Sequence, residues 1–200
     1  MLEFLFDFGS PNAYLAHRVL PAIEARTGMR FAYTPILLGG VFKATNNQSP
    51  VLAFAHIPSK LAYERIEMQR FITRHGLTKF RMNPHFPVNT LLLMRIAIAA
   101  GEEGALAPFA EAAFAAMWEK GLKMDDPAIV AEQLEAAGLD GERLLARAQE
   151  PAVKAKLIEN TERAIARGVF GAPTFFVGEE MYFGKDRLRD VEEVIAAGKS

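Results

Sequence analysis

The opening stretch LEFLFDFGSP, residues 2–11, constrains the chain more than any other. Leu2 to Phe8 is a short apolar run interrupted by acids, which predicts a buried strand, and Gly9 lets the chain turn after it. Ser10 then stands where a helix N-cap belongs and Pro11 at the first helical position. Tyr14, Leu15, Val19, Leu20 and Ile23 keep helical spacing up to Gly28, and a second strand follows over 29–36. A β-α-β unit of this kind favours parallel strands joined by a right-handed crossover.

The remainder supplies helices and then two more strands. Residues 37–59, beginning LLGGVFKATNNQSP, predict a long irregular segment of a functional kind. Helical patterns follow over 60–75, 90–100, 105–121, 127–137, 141–149 and 151–167, with Gly101, Gly121, Gly138 and Gly168 where helix ends are expected. Thr174 to Val177 and Met181 to Phe183 read as strands joined by a tight turn, and a last helix is expected over 186–197 with Asp186 as an acid at its start. The order is β-α-β, a helical block, then β-β-α. This predicts an α/β, thioredoxin-like domain made of residues 1–45 and 168–200, split by an all-helical insertion over 46–167.

The 200 residues carry a net charge of −1, so there is no basic field for a polyanion and nucleic acid is not an expected partner. No apolar run approaches the ~20 residues of a membrane span, and the N-terminus lacks a signal-peptide pattern, so a cytoplasmic protein is expected. The four histidines are scattered without metal-ligand spacing, and no metal site is expected. The count that matters most is cysteine: there is none, which excludes a disulfide, a thiolate nucleophile and a thiolate metal site. Yet Ser10-Pro11-Asn12-Ala13 has the spacing of a Cys-x-x-Cys site entering a helix.

Three motifs in order, FDFGSPNAYLA, VFGAPTFFV and FGKDRL, carry a resemblance that extends through IPSKLAYE and MWEKGLKMDD to essentially the whole chain. The sequence resembles the glutathione-dependent branch of the DsbA-like thioredoxin superfamily, the 2-hydroxychromene-2-carboxylate isomerases and the related kappa-class glutathione transferases. The resemblance implies that serine replaces the first redox cysteine because the thiol arrives with glutathione. Ser10 then donates to that thiolate, and Ala172 pairs through its backbone with the cysteinyl part, directed by a cis bond to Pro173. Asp186 meets the γ-glutamyl end, Asn47 and Lys60 match residues that hold glutathione carboxylates, and Lys185 brings a charge where relatives often have Ser or Asn. A homodimer and a cytoplasmic place in the catabolism of naphthalene-like aromatics are implied as well.

Each of these residues also has a plain reading. Ser10-Pro11 is a good helix cap with no chemistry, Pro173 an edge-strand proline, Asp186 a helix acid, and Asn47 and Lys60 a solvated turn and helix start. Phe4, Phe6 and Phe8, like Phe114, Met117 and Trp118, read as core. Asn89 reads as a helix cap. Arg65, Arg70 and Arg74 read as a solvated helix face, with one of them in reach of a substrate carboxylate.

The activity implied by the resemblance is glutathione-dependent cis/trans isomerisation of 2-hydroxychromene-2-carboxylate and trans-o-hydroxybenzylidenepyruvate, or a similar aryl-pyruvate enone, by reversible thiolate addition. Lys43 and Asn47 are candidate donors to the enolate. Kappa-like glutathione transfer and glutathione binding without turnover are the alternatives, while disulfide exchange is excluded because Ser10 and Ala13 occupy both thiol positions.

Overall fold

The computed structural model describes residues 1–198. Strand β1 (Leu2–Phe6) leads through Asp7 to Ser10 into helix α1 (Pro11–Thr27), and β2 (Ala32–Pro35) follows. Helices α2 (Leu38–Ala44), α3 (Pro50–Ala53), α4 (Pro58–His75), α5 (Leu91–Glu102), α6 (Leu106–Trp118), α7 (Pro127–Ala136), α8 (Gly141–Arg147) and α9 (Pro151–Ala166) come next. Strands β3 (Thr174–Val177) and β4 (Glu180–Phe183), a 3-10 turn (Lys185–Arg187) and α10 (Leu188–Ala196) close the described chain.

The strands form one mixed sheet in the order β2-β1-β3-β4. β1 runs parallel to β2, with Phe4 opposite Tyr33, and antiparallel to β3, with Phe4 opposite Phe175. β3 pairs antiparallel with β4. The architecture is a thioredoxin-like fold with a helical block between β2 and β3, as the element order predicts.

The core explains why β1 takes this place. Phe4, Phe6 and Phe8 are fully buried, and their rings step from Phe175 through Phe6 to Phe109 and Phe114 of α6. Phe114, Met117 and Trp118 are likewise fully buried. Apolar burial is therefore continuous between the sheet and the helices inserted after it. Trp118 also makes a polar contact: its indole N–H donates to the Phe8 carbonyl at 2.8 Å, so the end of β1 is anchored on α6.

The structure differs from the sequence reading in three places. The segment 37–59 is not irregular throughout, since it holds the short helices α2 and α3. Neither shows a side-chain cap bond; α2 begins Leu-Gly-Gly without a start signal, and α3, though it opens with Ser49 as N-cap and Pro50 as first residue, is only four residues long. Gly101 lies inside α5 instead of ending it, and Gly104, at φ +73°, takes the left-handed position beyond. Asp186 does not cap the last helix; it lies in the 3-10 turn before α10, and its carboxylate accepts from Lys185.

Candidate active site

Ser10 is the N-cap of α1. Its backbone is extended, its Oγ accepts from the Ala13 N–H at 3.2 Å, and Pro11 supplies the first helical residue without wasting an N–H. The residue is only 5% exposed, and its hydroxyl donates to the Ala172 carbonyl at 2.9 Å. The segment before β3 is thereby held against the N-terminus of a 17-residue helix, where the macrodipole favours negative charge. The Ala172–Pro173 peptide is cis, as is Phe86–Pro87.

Behind Ser10 lies Asp7, a residue the sequence reading left unassigned. It is 1% exposed, yet both carboxylate oxygens are occupied. Oδ1 accepts from the Gly9 N–H at 2.8 Å and the Thr90 hydroxyl at 2.6 Å, and Oδ2 accepts from the Leu38 N–H at 2.8 Å. One side chain thus joins the β1–α1 junction to the first residue of α2 and the N-cap of α5. Burial pushes its carboxyl above the ordinary value of 3.8 despite the three donors. The signal in the sequence was an acid inside an apolar strand run.

Ser10 and Ala172 open onto a cleft of about 1330 Å³ between the sheet, α2, α4 and the 76–90 connection. This exceeds the ~300–1,000 Å³ that holds one drug-sized ligand, and suits two reactants side by side. One end carries Ser10, Asn12, Asn47 and Ala172; apolar wall comes from Met68, Ile72, Phe80 and Phe86, and Phe170 and Phe183 flank the Ala172 side. Asn12 contributes an atom of interest. Its Oδ1 is buried without a hydrogen-bond partner, although the residue itself lines the cleft. The chain offers no thiol, so the site can receive and orient a thiolate but not supply one.

Asn47 lies on the cleft wall, its amide N–H donating to the Phe170 carbonyl at 2.9 Å, next to the Ala172 segment. Lys60 is not on the wall; its ammonium lies 2.8 Å from Glu64 and over the Phe54 ring. Lys185 is buried, with its ammonium 2.6 Å from Asp186 and over the Phe71 ring, and neither it nor Asp186 lines the cleft. Lys43 is exposed and off the wall. Asn89 accepts from the Leu91 N–H at 3.0 Å, but it stands one residue ahead of the N-cap of α5, which is Thr90.

The model of the DSBA-like thioredoxin domain matches residues 1–196. The chain belongs to that family. It is 32% identical to 2-hydroxychromene-2-carboxylate isomerase of Pseudomonas putida, over 98% of this chain and 94% of that protein. A solved structure of 2-hydroxychromene-2-carboxylate isomerase superposes with a TM-score of 0.82 at 30% identity, covering 98% of this chain and 94% of the other. Within the DsbA-like family, the chain therefore sits among the 2-hydroxychromene-2-carboxylate isomerases. Glutathione S-transferase kappa 1 of Rattus norvegicus is a more distant relative, 26% identical over 94% of this chain and 87% of its own length. A probable DsbA oxidoreductase from Streptomyces coelicolor, at 20% identity and a TM-score of 0.73, shares the fold.

Proposed function

We propose that the protein is a glutathione-dependent isomerase of an aryl-pyruvate enone, of the type that interconverts 2-hydroxychromene-2-carboxylate and trans-o-hydroxybenzylidenepyruvate. The observation that carries this reading is the buried Ser10 hydroxyl at the head of α1, facing a two-reactant cleft in a chain without cysteine. Isomerases and a glutathione transferase among the relatives support it from both sides.

Glutathione suits the residues present. A peptide laid along Gly171–Ala172 lies beside the Ser10 hydroxyl, with the side chains of Asn12 and Asn47 on the same cleft wall. When bound, glutathione supplies a thiolate that adds reversibly to the conjugated double bond and so permits rotation about it. The chain's own part is electrostatic and positional. The Ser10 O–H redirects from the neutral Ala172 carbonyl to an anionic sulfur, where a hydrogen bond is stronger. The first turn of α1 adds partial positive charge at the same point, lowering the pKa of a thiol from its ordinary ~8.5. The cleft holds both reactants together and excludes water from the enone, and its apolar wall matches an aromatic ring.

The test is a product assay with glutathione well below the substrate concentration. Isomerisation through many turnovers per glutathione supports this reading. A stoichiometric conjugate would instead indicate kappa-like transfer, and saturable glutathione binding with neither product a binding protein.

A further inference from the structure

We infer that Arg65 anchors the carboxylate of the substrate, which makes it a specificity determinant of the cleft; the inference rests on the aryl-pyruvate reading above. Charge accounting on the cleft wall leads to it. Among the described residues the wall carries three ionisable side chains, Asp7, Glu64 and Arg65. Asp7 is enclosed by its three donors. Glu64 is paired with Lys60 at 2.8 Å. Arg65 is exposed and has no carboxylate, carbonyl or aromatic partner among the described residues, so it is the one charged side chain on the wall left unpaired within the chain, and it is positive. Of its neighbours on the same helix, Arg70 pairs with Glu67, and Arg74 does not line the cleft.

Helix geometry places this cation usefully. Leu61, Arg65, Met68 and Ile72 occupy positions i−4, i, i+3 and i+7 and form one stripe of α4 toward the cleft. At 1.5 Å per residue, Arg65 stands about 4.5 Å along the axis from Met68 and about 10 Å from Ile72. An aromatic ring over Met68 and Ile72 therefore brings a carboxylate two or three bonds away within reach of the guanidinium, whose planar fork matches it. A neutral enone gains nothing from the same contact.

The inference is tested by equilibrium binding to the protein without glutathione, using benzylidenepyruvate as the carboxylate probe and benzylideneacetone as its neutral counterpart. Arg65→Gln is expected to weaken benzylidenepyruvate about three- to tenfold and leave benzylideneacetone unchanged, because an ion pair at an exposed guanidinium is partly screened by solvent. Arg65→Met, which keeps the apolar stem, should give the same loss, and Arg74→Gln should give none. Equal binding of the carboxylate by wild type and both variants, or no binding by wild type, would overturn the inference. So would a loss confined to glutathione affinity in a parallel glutathione titration of the same variants, which would assign Arg65 to the cofactor's carboxylates. Failure of the wild-type protein to isomerise the enone would sink the functional reading alone, since the binding comparison does not depend on turnover.

Discussion

The hydroxyl of Ser10 donates to the carbonyl of Ala172 across 162 positions of sequence, at 2.9 Å. This contact joins the N-terminus of α1 to the segment that enters β3, and it commits the single proton of the hydroxyl to a neutral acceptor. Under the proposed function a glutathione thiolate at the same helix end is the better acceptor, and binding and ionisation of the thiol would then be coupled through one hydrogen bond.

Asp7 supports that junction from beneath. In Asp7→Asn one backbone N–H must face the new amide donor, that of Gly9 or that of Leu38, depending on which way the amide lies. A loss of about 1–3 kcal/mol is expected for a buried donor left unpaired, and ~2–4 °C in Tm per kcal/mol for a chain of this size. The pH dependence should change as well. Burial raises the Asp7 carboxyl above 3.8, so the native state holds that proton more tightly than the unfolded chain. Wild-type stability accordingly declines as pH rises through that interval, a decline the variant lacks. Thermal melts of both proteins across the acid range check this.

Trp118→Phe removes the donor to Phe8 and leaves a carbonyl unpaired at the end of β1. The expected cost is about 1–3 kcal/mol, read by denaturant unfolding. Trp118 is the chain's one tryptophan and is fully buried, so wild-type emission should be blue-shifted and move to the red on unfolding.

Glu111 predicts a separate acid transition. Its hydrogen bond with His17, joined by Arg18, holds its carboxylate down to about 2 from an ordinary 4.5. A depressed carboxyl contributes stability that is present above 4.5 and lost as pH falls toward about 2. Glu111→Gln should therefore lower Tm at pH 7 and converge with wild type near pH 2. The carboxylate is half exposed, so added salt should shrink the difference at pH 7. A gap that persists unchanged at pH 2 would contradict this account.

What was legible in the sequence follows from how local each signal is. Ser10, Pro11 and the apolar spacing behind them define a capped helix within a few residues, and the four strands follow from short apolar runs and their turns. Asp7 was visible only as an anomaly, because Thr90 and Leu38, which give it meaning, lie 83 and 31 positions away. The same holds for Arg65. Three arginines on one helix are equivalent in the sequence, and only the packing of α4 against the cleft separates them. Helices α2 and α3 were missed because a Gly-Gly pair and short length erase the local signal that tertiary packing replaces.

The most direct test of the central claim is the thiolate absorbance of glutathione near 240 nm, titrated with pH on wild-type protein and on Ser10→Ala. The account predicts a bound thiol that ionises below its free value of ~8.5 on wild type, and a return toward that value in Ser10→Ala with kcat/KM reduced at least ~10-fold. A bound thiol that titrates like free glutathione on wild-type protein, or identically on both proteins, would contradict it.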